Sequence, residues 1–162
     1  MASSTTETGT GFDFPAAVEA VRSGTPLDTA TASLLARLTP SERLWLLDGD
    51  EDFWSGLNDI NTNGYNYEPY IHGAIPRLQI PGVRFADGPR GCVLGESTAF
   101  PVAMARGATW DSSLEERIGR AIGKECKAQG ANFFGGVCVN LPRHPAWGRI
   151  QETYGEDPII LG

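Results

Sequence analysis

From Val83 to Asn140 the sequence runs apolar strand, long amphipathic helix, apolar strand, and this order constrains the fold more than any other feature. Val83-Arg84-Phe85-Ala86 is a short strand, stopped by the turn chemistry of Asp87-Gly88-Pro89. Asp111 to Gln129 is the strongest helix, with Leu114, Ile118, Ile122 and Cys126 at i, i+4 spacing on one face. Ser112 and Glu115 offer a capping box, and Gly130 is a natural stop. Asn132 to Asn140 then reads as a strand, and its unbroken apolar character suits burial on both faces. Asp157-Pro158 starts another helix. Strand, helix, strand, loop, helix is the rhythm of a parallel α/β fold.

Before this unit, Phe12 to Leu38 is weakly helical, interrupted by Gly24 and Pro26. Thr39, Pro40 and Glu42 form a clear helix start: an N-cap, a proline at the first position and a capping-box glutamate. Asp48 to Tyr70 reads as a long polar and aromatic loop, with Trp54, Tyr65, Tyr67 and Tyr70 available as a stacking wall for an apolar or sugar-ring face. Met1 to Gly11 lacks a basic start and a hydrophobic stretch; a loose tail is expected there, not a signal peptide. The boundary between lead-in and main domain is placed at 38/39.

The chain has 162 residues, against the roughly 250 of a complete (β/α)₈ barrel. With 41% hydrophobic and 20% charged residues it is of globular composition. A net charge of −7, with no lysine or arginine cluster, argues against nucleic acid and against an anionic membrane surface. Nor is any apolar run long enough to span a bilayer. Three cysteines, Cys92, Cys126 and Cys138, cannot all pair with one another, which favours reduced thiols and a cytoplasmic location.

Asp59-Ile60-Asn61-Thr62-Asn63-Gly64 matches the first half of a calcium loop, but the twelfth position is Tyr70 where a glutamate is required. His144 and the cysteines lack paired ligand spacing, and Gly130…Gly135-Gly136 is no dinucleotide fingerprint. Neither metal nor cofactor is expected. Two segments, each just after a predicted strand, carry the chemistry: Asp87-Gly88-Pro89-Arg90-Gly91, and Asn140 to Pro158. The second holds Arg143, His144, Trp147, Arg149, Glu152, Glu156 and Asp157. Arginine offers a fixed fork of donors and aspartate accepts two hydroxyl hydrogen bonds, a mixture suited to a neutral, hydroxyl-rich ligand. A salt-bridged surface loop would have the same composition.

Arg143-His144-Pro145-Ala146-Trp147-Gly148-Arg149, followed by Glu152, Tyr154 and Glu156-Asp157-Pro158, resembles the R-x-P-x-W-G-R…E-x-[YF]…E-D-P signature of glycoside hydrolase family 3. Phe85 to Gly91 resembles that family's D-G-P-R-G motif; Phe100-Pro101 and Ala108-Thr109-Trp110-Asp111 resemble its FP…ATWD segment. The likeness covers roughly Leu38 to the end. It implies the N-terminal portion of a TIM-like (β/α)₈ barrel, incomplete in this chain, and a β-glucosidase-like exo-acting enzyme whose partner is a small-molecule glycoside or oligosaccharide. It further implies that Asp87 and Arg149 bind hydroxyls of the terminal sugar, Asp87 on the far side of the ring, with Arg143 and Glu152 in support. His144 and Ala146 depart from a frequent variant that has Asp and Arg there. Retaining hydrolysis needs two carboxyl groups. In the family the nucleophile follows a Lys-His pair in an S-D-W or S-D-Y segment, which does not occur here, and the acid/base comes later still. The chain alone is therefore expected to be inactive. The alternatives are a non-catalytic sugar-binding protein and a product with no independent function.

Overall fold

The computed structural model describes residues 11–162, so the N-terminal Ser/Thr/Gly-rich stretch falls, apart from Gly11, outside the described residues. The chain forms two compact units.

The first unit takes the chain up to Asp48 and the segment Gly73–Gly82. Asp13 caps α1 (Phe14–Arg22), its carboxylate accepting from Ala16 N–H at 3.0 Å. Proline-led α2 spans Leu27–Leu35. The expected capping box starts α3 (Pro40–Trp45): Thr39 Oγ1 accepts from Glu42 N–H at 3.2 Å, and Glu42 Oε2 accepts from Thr39 N–H at 2.8 Å. Leu38, Ile75 and Leu78 form the core, with Leu34, Leu46 and Ile80 packed around them. Arg77 pairs with Glu42 at 2.7 Å. That hydrogen-bonded guanidinium, aided by the Thr39 amide, pulls the Glu42 carboxyl down to about 2.

The second unit, Gly49–His72 and Val83–Gly162, holds both chemically rich segments. Its sheet has three strands in the order β1 (Tyr70–His72), β2 (Val83–Ala86), β3 (Phe133–Phe134). The expected parallel pairing holds for β2 and β3, with Phe85 opposite Phe133 and Ala86 opposite Phe134. β1 is an antiparallel addition, pairing Tyr70 with Phe85 and His72 with Val83. Asn132 fixes the parallel register: its N–H donates to Arg84 O at 3.0 Å and its Oδ1 accepts from Arg84 N–H at 2.7 Å. Between these strands lie α5 (Ala103–Gly107) and α6 (Ser112–Ala128). The predicted face of α6 is the buried one. Ile118, Ile122 and Cys126 join Ala86, Cys92, Leu94 and Ala131 in one cluster, and Leu114 packs against it. Each isoleucine contributes about 1.5–3 kcal/mol by leaving water. A turn of 3₁₀ helix (Ile150–Glu152) and α7 (Pro158–Leu161) complete the unit.

Three expectations need correction. The segment read as one long loop contains α4 (Phe53–Asn63), stopped by Gly64 at φ 91°. Its polar side chains bond along the helix, Thr62 to Asn58 O and Asn63 to Asp59, so Asp59 to Asn63 is helical, not the loop of a calcium motif. The strand expected over Asn132 to Asn140 covers two residues only. Beyond Phe134 the chain passes so close to β2 that a Cβ on Gly135 would lie 2.4 Å from the Phe85 ring, and one on Gly136 2.2 Å from Gly88 O. Val137 and Val139 are 62% and 55% exposed, not buried on two faces. Finally, α6 is capped by Asp111, whose carboxylate accepts from Leu114 N–H at 2.9 Å, and not by Ser112. Asp111 lies one residue earlier and is extended, as an N-cap must be. Among the described residues no helix is long and apolar enough to cross a membrane.

Candidate functional site

Asp87 is the first residue after β2, at the end where a parallel strand hands over to its loop. Its backbone and side chain are both held. Gly88 N–H donates to Asp87 Oδ1 at 2.7 Å, Tyr65 O–H donates to Oδ2 at 3.1 Å, and Val93 N–H donates to Asp87 O at 2.9 Å. Gly88 sits at φ 126°, and a Cβ there would meet Gly91 O at 2.1 Å, so this turn admits only glycine. The two bonds fix the Asp87 carboxylate while leaving lone pairs on both oxygens for a ligand's hydroxyls.

Tyr65 arrives from the segment after α4, and its neighbour Asn66 is buried in a left-handed conformation, φ 57°. Burial, and next the charge of Asp87, raise the Tyr65 phenol above its ordinary range. Tyr70 on β1 stacks obliquely on Tyr65, ring centroids 6.1 Å apart. Tyr67 turns instead to Asp59 and Glu68, and Trp54 is largely exposed beside Phe53. Of the four residues expected to form a stacking wall, Tyr65 is the one hydrogen-bonded to a candidate site residue.

Arg149 belongs to the loop that follows β3. Its Nε donates to both oxygens of Glu152 at 2.9 Å and its Nη2 to Oε2 at 2.6 Å. The Glu152 carboxylate does most to hold the Arg149 guanidinium above its usual range, and Asp87 adds its field from further off. Asp87 directly follows β2 and Arg149 lies on the chain that follows β3, so an acceptor and a donor fork are carried on loops that leave the same end of two parallel strands. Glu152 has both oxygens engaged by Arg149, an arrangement that orients a guanidinium and does not suit proton transfer. Arg143, with His144, Trp147, Val139, Asn140 and Leu141, lines a cleft of about 630 Å³. His144 Nδ1 accepts from Ala146 N–H at 3.1 Å, closing the turn that leads to Trp147.

Under these loops lies a buried cluster that the sequence did not reveal. Arg106, at the end of α5, is 5% exposed. Its Nη1 lies 2.9 Å from Glu115 Oε1, and its Nη2 donates to Pro89 O at 2.8 Å and to Tyr154 Oη at 3.3 Å. Tyr154 O–H donates to Glu115 Oε1 at 2.6 Å, and the guanidinium carbon lies 5.2 Å from the Tyr154 ring centroid. Burial first, then the Glu115 bond, push the Tyr154 phenol up to about 12. Tyr154 stands in the quoted motif, but Arg106 sits in Ala-Met-Ala-Arg-Gly, where nothing in the local pattern distinguishes a buried arginine from a solvated one.

Comparison with known proteins covers both chemically rich segments. The profile of the glycosyl hydrolase family 3 N terminal domain matches residues 65–162. A beta-glucosidase of Rhizobium radiobacter is 37% identical over 134 residues, covering 78% of this chain and 14% of its own length. A probable beta-glucosidase H of Neosartorya fischeri is 35% identical over 136 residues, again covering 80% of this chain and 14% of the relative. A probable beta-glucosidase J of Emericella nidulans is 41% identical over 112 residues, 65% of this chain and 13% of the relative. The chain thus spans about a seventh of the curated relatives it matches. No solved structure matches it at a significant level. With the Asp87 turn, the Arg149 fork and the α6 between them all inside the matched region, the chain belongs to glycosyl hydrolase family 3, of which it carries N-terminal domain sequence.

Proposed function

We propose that this chain is the opening part of a (β/α)₈ barrel in a retaining exo-β-glycosidase, and that it supplies one side of the pocket for the terminal sugar of a β-D-glucoside or related oligosaccharide. The observation that carries the reading is that Asp87 and the Arg149–Glu152 pair follow β2 and β3, two strands paired in parallel, so both loops leave the same end of the sheet. In barrels of this kind substrates bind at that end. Asp87 accepts two ring hydroxyls, and Arg149, oriented by Glu152, donates to an adjacent hydroxyl. The names of the relatives support glucose as the sugar. A reducing compartment such as the cytoplasm suits the thiols, Cys92 and Cys126 being buried in the core.

This half-pocket binds without turning over. Acceleration requires contacts stronger in the transition state than in the ground state, together with a positioned nucleophile and acid. Asp87 is held by hydrogen bonds as an acceptor, and Glu152 is spent on Arg149. The test is D-glucose binding, followed by isothermal titration calorimetry. The wild-type chain should give a saturable signal that Asp87→Ala and Arg149→Ala both abolish. Equal binding by wild type and Asp87→Ala would overturn the assignment, as would turnover of a chromogenic β-glucoside by the chain alone.

A further inference from the structure

Arg106 lies outside the pocket, yet it touches both loops that build it. Its Nη2 reaches Pro89 O, two residues from Asp87, and Tyr154 Oη, two residues from Glu152. Its Nη1 is held by Glu115 of α6, and Glu115 in turn accepts from Tyr154. The contact between α5 and the Arg149 segment is made tighter still by Gly107: a Cβ there would lie 2.1 Å from Tyr154 O. A guanidinium is the one side chain that can serve this position. It is planar, always charged, and presents donors along more than one edge, so a single group can bond two loops and a carboxylate at once.

We propose that Arg106 is a positioning residue for the sugar pocket: buried between the Asp87 turn and the Arg149 loop, it locks the two against α6 and fixes the separation of acceptor from donor fork. The inference rests on the pocket reading above for its function, but the linkage itself is a property of the fold. Loops that follow different strands have no backbone bond to hold them in step. The side chain substitutes for it, in a low-dielectric place where charge-assisted bonds are stiff.

The test uses the whole chain, ¹⁵N-labelled, with two reporters: the Gly88 amide, bonded to Asp87, and the Arg149 Nε–H, bonded to Glu152. Lys127, at the far end of α6, is the control. Arg106→Lys keeps the charge beside Glu115 but cannot hold both loops. Tyr154→Phe removes one hydroxyl and leaves the ring, and it decides the matter if the lysine variant fails to fold. Both variants should shift the Gly88 and Arg149 signals together, leave Lys127 in place, and weaken D-glucose binding about tenfold, the worth of one charge-assisted bond. Reporters that stay put, or move one without the other, would overturn the linkage. So would a shift of Lys127 as large as theirs, since that marks general loosening. A wild-type chain that ignores glucose while both reporters move sinks the pocket reading and leaves the linkage standing; glucose binding with unmoved reporters does the reverse.

Discussion

Two of the arginine–glutamate pairs in the second unit are of similar length and opposite setting. Arg106–Glu115 measures 2.9 Å with side chains 4% and 31% exposed; Arg149–Glu152 measures 2.6 Å with side chains 66% and 18% exposed. Distance does not separate them, but solvent does. The exposed pair competes with water and is screened by salt, so it adds little to stability, yet its guanidinium remains open to a ligand. In the buried pair Arg106 has lost its water, so it depends on its protein partners: Nη1 on the Glu115 carboxylate, and Nη2 on Pro89 O and Tyr154 Oη. The same chemistry serves recognition in one place and rigidity in the other.

The sharpest way to break this comparison is to remove one buried partner. Arg106→Met leaves the Pro89 carbonyl without its side-chain donor and Glu115 without its cation, with only Tyr154 O–H still donating to it. It should cost toward the lower end of the roughly 3–5 kcal/mol typical of a broken buried pair, because Glu115 keeps some contact with water. Urea unfolding would read it, and a midpoint within error of wild type would show that the pair is not dry. The matching change on the surface, Arg149→Ala, should leave the midpoint where it was while abolishing sugar binding. A clear drop in stability from that variant would erase the distinction.

A third prediction uses pH. The Tyr154 phenol is held at about 12 in the folded chain against an ordinary 10.0, so the folded state grips this proton more tightly than the unfolded state. The stabilisation is complete below pH 10 and is lost as pH rises towards 12. Tyr154→Phe should make the loss of stability across that window less steep, Tyr67 and Cys126 keeping their own share, and should leave neutral pH unchanged apart from the lost hydrogen bonds. A wild-type profile already flat there would place Tyr154 in solvent.

The smallest effect belongs to the first unit, where Arg77–Glu42 is an exposed pair that also closes the α3 capping box. Glu42 is pulled to about 2 from 4.5, so its contribution is present above pH 4.5 and fades as pH falls towards 2. Glu42→Gln should remove that acid dependence with little change at pH 7, since glutamine still caps. A large loss at pH 7 would mean the ion pair, not the cap, holds α3.

How much was legible depends on how local each cause is. α6 and the start of α3 were readable because periodicity and capping act within four residues. α4 was not, because its Asn, Asp and Thr favour turns when read singly, and the helix is settled by bonds four residues apart. Asp87 and the Arg149–Glu152 pair came from motifs. The partners that hold Asp87 and tie its turn to the Arg149 loop lie far away in sequence: Tyr65 bonds Asp87 across 22 positions, and Arg106 bonds Tyr154 across 48.

The sequence alone therefore determined where the Asp87 turn, the start of α3 and the β2–α6–β3 order fall, since these follow from backbone sterics and short-range periodicity. It also determined the identity of the donor and acceptor groups. Only the tertiary structure decided that β1 joins the sheet antiparallel, that β3 is two residues long, and that one arginine is dry while the other stays wet. Burial is a property of what packs above a residue, and for Arg106 that is Pro89, Glu115 and Tyr154, three groups that meet only when the chain has folded.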